Sequence, residues 1–524
     1  MSSVASPPAQ RRVYQDDRIA VAPGRWAPNW LVLLLVCVGQ FMVVLDISIV
    51  NVALPSIETD LHFSTTSLQW VVNAYTLAFA GFLLLGGRVA DLFGRRRIFL
   101  FGLGLFTVAS LVGGTAQNQG MLLGARALQG LGAAVLAPAT LTILMTSFSE
   151  GSARARALGV WSAVASAGAS AGALLGGVLT DALSWRWILF VNVPIGLIAL
   201  PLARRFLPES KADAAHRHLD LLGALTVTGG LVALVYAIVR SQGHSWLAAR
   251  VTVPLLIAVV LLVGFLVVQA RVARVPLVPL RIFRSRSVAG GNVVMLLLFC
   301  AMFGSWYFET LYMQRVLGYS PLRAGLAFLP QTVLIAVGAQ VTARLVTRVG
   351  PRRLILIGTV VSAAGLAWLS GITPDSSYLR DLLGPFLLIG LGMGLFVTPV
   401  TVAGTTGVPR GDAGLASGLL NTSRTVGASI GLATLATVAA NHTSSVLVHL
   451  APGQARTATA ITGGYSLAIR AGSIILLVAG AVAMATLPSL VAPRRSTAGA
   501  PAGKPKGEVI DLNERARNEA PEPA

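Results

Sequence analysis

Apolar runs long enough to cross a membrane recur along almost the whole chain, separated by short polar loops. A helix needs roughly 20 mainly apolar residues to cross the hydrocarbon core. A mean hydropathy of +0.74 over 524 residues cannot come from one anchor helix. Charged residues make up 11% of the chain, against about 25% in soluble globular proteins. The runs fall near residues 30–52, 68–86, 98–116, 121–146, 157–180, 187–203, 219–239, 250–270, 288–313, 325–347, 352–371, 381–403, 413–438 and 466–490. The expected class is an all-α integral membrane protein of fourteen transmembrane helices.

The net charge is +20. In a soluble protein such an excess points to nucleic acid; here the cations sit in alternate loops. With the N-terminus inside, the inner loops hold Arg95, Arg96 and Arg97, then Arg154 and Arg156, then Arg204, Arg205, Lys211 and Arg217. Further along come Arg271, Arg274, Arg281, Arg284 and Arg286, then Arg348, Arg352 and Arg353, then Arg410; the tail adds Arg494, Arg495, Lys504 and Lys506. The other loops carry Glu58, Asp60 and His62, the Gln117–Gln119 run, and Asp375 with Asp381. This is the positive-inside pattern, with both termini cytoplasmic. The partner implied is the lipid bilayer, not nucleic acid. The longest outer loop is expected at about 440–465, and the Pro- and Ala-rich tail is expected to be disordered. The first helix is too long for a signal-peptide core and is read as retained. Cys37 and Cys300 lie inside apolar runs, so no disulfide framework is implied. Arg-, Ala- and Gly-rich, Lys-poor usage suggests a GC-rich bacterium and hence its plasma membrane.

The segment GRVADLFGRRRIFLFG at 87–102 aligns without gaps with ARLVTRVGPRRLILIG at 343–358. The pairs Arg88/Arg344, Gly94/Gly350, Arg96/Arg352, Arg97/Arg353, Leu100/Leu356 and Gly102/Gly358 are identical. Each copy lies between the second and third helix of its own half, a plan of two repeated bundles. The expected division is a cytoplasmic segment 1–29, a six-helix bundle 30–204, a linker with two extra helices 205–287, a second six-helix bundle 288–490 and a tail 491–524.

Several residues break the apolar pattern. Asp46 lies deep in the first run, where ionisable side chains are costly and face the protein interior or a water-filled cavity. A carboxyl group in such a place can exchange a proton for a cationic substrate or a conformational change; the bland alternative is a structural Asp bonded to Asn51 or a neighbouring helix. Arg126 lies early in the fourth run, where it carries charge inside the bundle or snorkels to the interface. Gly168, Gly172 and Gly176 repeat every four residues and share a helix face that lets another helix approach closely; Gly177 follows. Glu309 sits in the run WYFETLYMQ, either in the bundle or near its outer end beside Arg315. Asn421 and Arg424 form a polar island on a helix that also carries Gly414, Gly418, Gly427 and Gly431. Gln40, Asn73, Tyr75, Trp306, Tyr307 and Tyr312 are candidate cavity residues. No phosphate-cradling loop, metal-ligand cluster or nucleophile elbow is present, so no enzyme activity, cofactor or metal is expected.

Four segments carry a resemblance. They are LDISIVNVALP at 45–55, GRVADLFGRRR at 87–97, LLGARALQGLG at 122–132 and GASAGALLGG at 168–177. Together with SWRW at 184–187 and NVPIG at 192–196, they resemble the 14-helix drug:proton antiporter family of the major facilitator superfamily, over about residues 30–490. The resemblance implies the major facilitator fold and proton-driven export of hydrophobic, in some cases cationic, drugs or antibiotics by a monomer. It implies proton-coupling roles for Asp46 and Arg126; Glu309 is added as a second candidate, for a proton or a cationic drug. It makes Gly87, Arg88, Asp91, Gly94, Arg95 and Arg97 a cytoplasmic latch. Thr347 replaces the aspartate in the second copy, so the full latch is expected in the first half alone. Ala173 stands where the family's fifth-helix motif has proline, which weakens the antiport inference there. A transporter of a specific metabolite, peptide or siderophore is the alternative.

Overall fold

The computed structural model describes residues 14–15, 18–22, 25–149, 151–210, 219–242, 244–408, 412–449, 454–487 and 489. Lys211, Arg217, Arg410 and the tail cations lie outside these residues, as does the expected disorder of residues 491–524.

Thirteen helices are long and apolar enough to cross a membrane. We label them α1 (Asn29–Leu61), α2 (Trp70–Phe93), α3 (Arg95–Gly114), α4 (Gln119–Ser147), α5 (Ser152–Ala182), α6 (Trp187–Phe206), α7 (Leu221–Arg240), α8 (Ala249–Val272), α9 (Arg286–Val316), α10 (Pro321–Val346), α11 (Pro351–Leu369), α12 (Tyr378–Thr405) and α14 (Thr457–Thr486). The long helix α13 (Ala413–His449) packs among them and makes the fourteenth. Before α1, Tyr14–Gln15, Arg18–Ala22 and Arg25–Pro28 form a small antiparallel sheet whose Ile19 packs into the core of the first half.

Two sequence expectations need correction. The first helix does not end near residue 52: α1 continues through Pro55 to Leu61, so Glu58 and Asp60 occupy its last turns rather than a loop. Proline is tolerated inside membrane helices because neighbouring groups re-satisfy the freed backbone. The polar stretch at 440–465 is not a long loop: α13 runs to His449, and helix resumes at Gln454. There Gly464 lets α14 approach α13 so closely that a Cβ on it would lie 2.2 Å from the Thr443 hydroxyl oxygen.

The two halves repeat one packing scheme. In the first, α1 packs on α5, α4 on both α2 and α3, and α3 on α6; in the second, α9 packs on α13, α12 on both α10 and α11, and α11 on α14. Gly94 and Gly350 both take positive φ, 109° and 87°, which glycine adopts without steric penalty. They turn α2 into α3 and α10 into α11 at the end of the bundle that carries Arg95; Glu58 marks the opposite end. α7 lies across the α2/α13 seam, with the Thr437 hydroxyl donating to the Ile238 carbonyl (3.1 Å) and Leu77, Val235 and Ala433 in one apolar cluster. α8 presents Leu256, Val260, Val263 and Leu266 outward, as a helix against lipid should.

Candidate functional site

Asp46 is fully buried in the first half and accepts from three side chains on two helices. α4 supplies the Arg126 guanidinium, 2.5 Å from Oδ2, and the Gln129 amide, 3.1 Å from Oδ1; α6 supplies the Asn192 amide at 3.4 Å. Arg126, 1% exposed, also donates to the Val71 carbonyl (3.1 Å) and to the Gln129 carbonyl oxygen (2.9 Å), and it sits 4.5 Å above the Tyr75 ring. The Gln129 amide also bonds the Ser110 hydroxyl of α3 at 2.7 Å. A carboxylate, a guanidinium and a carboxamide are thus joined deep in the buried interior, and low polarity strengthens each bond and raises the cost of losing one. Arg126 does not snorkel. Tyr75, a candidate cavity residue, is instead fully buried beneath Arg126, its hydroxyl 3.4 Å from the Val43 carbonyl.

Sequence reasoning missed Gln129, Ser110 and Asn192 as members of this network. Gln129 had a usable signal: it lies three residues after Arg126, on the same helix face. Ser110 and Asn192 had none, since uncharged polar residues are common in membrane helices.

Glu309 is not part of this network. It lies in the second half, 2% exposed, with no hydrogen-bond partner on either carboxylate oxygen. Arg315 does not pair with it. That guanidinium reaches across to Glu58 at the end of α1 and donates to the Tyr465 hydroxyl (3.3 Å). The neighbouring Gln314 amide donates to the Val52 carbonyl of α1 (2.8 Å). The contacts to Glu58 and Val52, each made from more than two hundred positions away, join the halves at the Glu58 end; no local pattern could reveal them.

The fifth-helix glycines serve two interfaces. Gly168 faces Phe41, Gly172 faces Ser48 and Gly176 faces Ile49, all on α1. The Ser48 hydroxyl donates to the Ala169 carbonyl (2.6 Å). Gly177 instead faces Pro321 at the start of α10, and Gly325 faces the carbonyl of Ala173, so this stretch seals the halves together at the Glu58 end.

The loop motif closes on its own half among the described residues. Asp91 accepts from Arg95 at 3.0 Å, the Arg95 guanidinium also reaches the Ser210 hydroxyl (3.2 Å), and Arg96 and Arg97 lie 3.6 and 3.7 Å from Glu209. Gly87 packs beside Pro138, and Arg88 is half-buried. The partners anchor the end of α6 rather than the second half. At this end the halves meet through Leu85 of α2 and Leu419 of α13.

The other polar candidates are scattered. Gln40 is 9% exposed with its carbonyl oxygen unpartnered, and Asn73 is fully buried with neither amide atom bonded. Trp306 is half-buried against Phe303; Tyr307 is buried with its hydroxyl unpartnered; Tyr312 donates to the Thr373 carbonyl (2.6 Å). Arg424 is half-buried, its guanidinium 5.5 Å from the Phe299 ring. Asn421 lies one turn before it, and its carbonyl accepts from Thr425. Gly427 and Gly431 bring α13 against the backbone of α9 at Leu296 and Cys300, and Gly418 meets Leu84 of α2, whereas Gly414 has open space around it. Cys37 and Cys300 are free and buried, and no group of residues suited to a metal ion occurs among the described residues.

The family model of the Major Facilitator Superfamily matches residues 36–432. The chain belongs to this superfamily. It is 48% identical over 421 residues to a cephamycin export protein of Amycolatopsis lactamdurans, covering 80% of this chain and 87% of that protein. It is 42% identical over 464 residues to the puromycin resistance protein of Streptomyces alboniger, covering 88% and 92%. A bacterial homolog of the lysosomal transporter Spinster, solved inward-facing and occupied, shares the fold with a TM-score of 0.61 at 15% identity, covering 87% and 96%. This superfamily member is therefore a multi-pass membrane protein of a transporter family, which accounts for the paired bundles and the small-residue interfaces.

The Glu58–Arg315 pair yields a direct test. It is partly exposed, so its loss should leave the fold intact while loosening the join between the halves. Glu58→Gln is expected to speed maleimide labelling of a cysteine at Ala173, which lies 8% exposed under the seal, several-fold. Labelling at the parental rate would show that the pair does not hold this end.

Proposed function

We propose that the protein is a proton-driven exporter of small antibiotic molecules, working by alternating access in a bacterial plasma membrane with both termini in the cytoplasm. The observation that carries the reading is the buried Asp46–Arg126–Gln129 network, set in a chain that is 48% and 42% identical to relatives named for antibiotic export and resistance. Asp46 is the exchangeable carboxyl group. When ionised it holds α1 to α4 and α6 through Arg126, Gln129 and Asn192; when protonated it loses the ion pair with Arg126 and weakens that hold. Proton binding and release therefore bias how α1 packs, and α1 also carries the contacts that close the Glu58 end. The Arg95 end, rich in arginine, is the cytoplasmic one. In this reading the proton gradient supplies the energy through Asp46, the exchangeable carboxyl group.

Asp46→Asn keeps the shape and removes the exchangeable proton. It is expected to abolish efflux driven by a pH gradient in proteoliposomes, while the protein still reaches the membrane and supports exchange of substrate down its own gradient. Undiminished pH-driven efflux would refute Asp46 as the coupling group. A resistance profile in a pump-deficient host, including puromycin and a cephamycin, tests the antibiotic reading; protection against a single nutrient analogue alone would favour a dedicated metabolite carrier.

A further inference from the structure

We propose that Arg424 anchors a substrate site for organic acids: its guanidinium takes the carboxylate of a small molecule whose apolar body lies along the aromatic stripe of α9. The placement follows from the neighbours of α13. Gly427 and Gly431 pack on the α9 backbone at Leu296 and Cys300. On the opposite side Gly418 meets Leu84 of α2, and the Ser429 hydroxyl lies 2.6 Å from that of Thr76, also on α2. α7 covers a third side, at Val426, Ile430 and Ala433. At roughly 100° per residue, the remaining side, opposite α7 and between α9 and α2, carries Ser417, Asn421 and Arg424. It faces the interior of the bundle, because α7, with Val232 and Tyr236 exposed, covers the seam from outside. Along this side Ser417 is exposed, Asn421 and Arg424 are half-buried, and Ala428 and Leu432 are 4% and 0% exposed. Arg424 is therefore approached from the Arg95 end and stands where that approach stops.

The charge there has no partner. Among the described residues the Arg424 guanidinium makes no hydrogen bond and no ion pair, and it sits 5.5 Å from the Phe299 ring. Arg126 shows the contrast: its guanidinium meets Asp46, the Val71 carbonyl and Gln129. No carboxylate of the chain is free to serve Arg424. Asp46 is held in its own network, and Asp412 lies 3.6 Å from Arg281. Glu309 stands ten residues beyond Phe299 on α9, roughly 15 Å along the axis. A lone cation inside a membrane bundle is costly, and a bound anion supplies the missing counter-charge. The flat guanidinium fork matches the two oxygens of a carboxylate. Beside it, Phe299, Phe303 and Trp306 follow at intervals of four and three and share a face of α9; the last two rings meet edge to face at 6.4 Å. They offer an apolar surface next to the charge. A cationic drug is disfavoured at this point, because it would set like charge against an unpaired one. The arginines of the Arg95 end, Arg88 and Arg95 to Arg97 among them, draw anions toward the approach.

The site names a substrate class for the exporter and so rests on the reading given under Proposed function, but its test measures binding and needs no transport. Tritiated 1-naphthaleneacetate and 1-naphthaleneacetamide share a shape and differ in charge. Their binding to the full-length protein in lipid nanodiscs is compared, with empty nanodiscs as the blank. The acid is expected to bind about tenfold or more tighter than the amide, the size of a charge-assisted hydrogen bond. Arg424→Gln should bring the acid down to the affinity of the amide and leave the amide unchanged, and Arg424→Lys should keep part of the preference. The melting temperature of Arg424→Gln should not fall, because the change strands no internal partner. A fall in melting temperature with the acid preference intact would make Arg424 a structural residue and overturn the site. Equal binding of the two probes by the parent, or no binding of the acid, also overturns it, while export of uncharged antibiotics would stand. The expected binding pattern in a protein that moves no antibiotic would instead overturn the export reading and leave the acid site standing.

Discussion

Arg126→Ala is expected to lower stability by about 3–5 kcal/mol, the usual cost of removing one partner from a buried ion pair, and to abolish transport. The size follows from what the change leaves behind. Asp46 is fully buried, and Arg126 supplies its shortest contact at 2.5 Å. Without the guanidinium, the carboxylate keeps only the amides of Gln129 and Asn192, at 3.1 and 3.4 Å, and the Val71 carbonyl loses its donor. Asp46→Asn alone strands the charge on Arg126 instead. The double variant Asp46→Asn/Arg126→Gln strands neither and is expected to recover most of the stability while remaining uncoupled. Thermal unfolding in detergent gives the cycle, and pH-driven efflux gives the function. If Arg126→Ala melted with the parent, the pair would not be buried as the structure has it; if the double variant pumped, the network would be a staple rather than a coupling device.

What sequence could and could not reveal at this site follows from chemistry. Asp46 and Arg126 stand out because a charge inside an apolar run is rare and costly. That they meet is not written locally, since eighty residues separate them, yet each implies a partner and α4 crosses α1. Gln129 is reachable from helical spacing, whereas Ser110 and Asn192 depend on where α3 and α6 pass. The repeat at Gly94 and Gly350 was legible because a positive-φ turn selects glycine, and it correctly marked corresponding turns. Hydropathy located the helices and failed at their ends. It reports the part immersed in lipid, whereas α1 and α13 continue past it on the strength of contacts with other helices. The Glu58–Arg315 join was invisible for that reason: ending the first run near residue 52 placed Glu58 in a loop, and Arg315 was considered only beside Glu309.

Gly177→Leu should block the transport cycle while sparing the fold, and Gly176→Leu should do the reverse. The two glycines are adjacent and equally crowded. A Cβ on either would lie 2.7 Å from a carbonyl oxygen, that of Pro321 for Gly177 and that of Ile49 for Gly176. Neither oxygen is a flexible side-chain end, so backbone must move. For Gly176 the backbone that moves is α1, within the same half, beside Ser48 and three residues from Asp46. Forcing atoms into such a contact costs typically 1–3 kcal/mol, and it is expected to appear as a lower melting temperature. For Gly177 the obstructing backbone belongs to α10 of the other half, so the strain exists only while the Glu58 end is closed. The same cost then acts on the conformational equilibrium, shifting it by about 5- to 150-fold toward the open end. Maleimide labelling of a cysteine at Ala173 should accelerate accordingly, the melting temperature should stay near the parent's, and efflux should fall by a similar factor. Equal melting losses in the two variants would mean that Gly177 packs within its own half. Because Ala173 faces Gly325 along this same seam, the residue at the family's proline position belongs to the moving interface, and α5 meets it as an unbroken helix from Ser152 to Ala182.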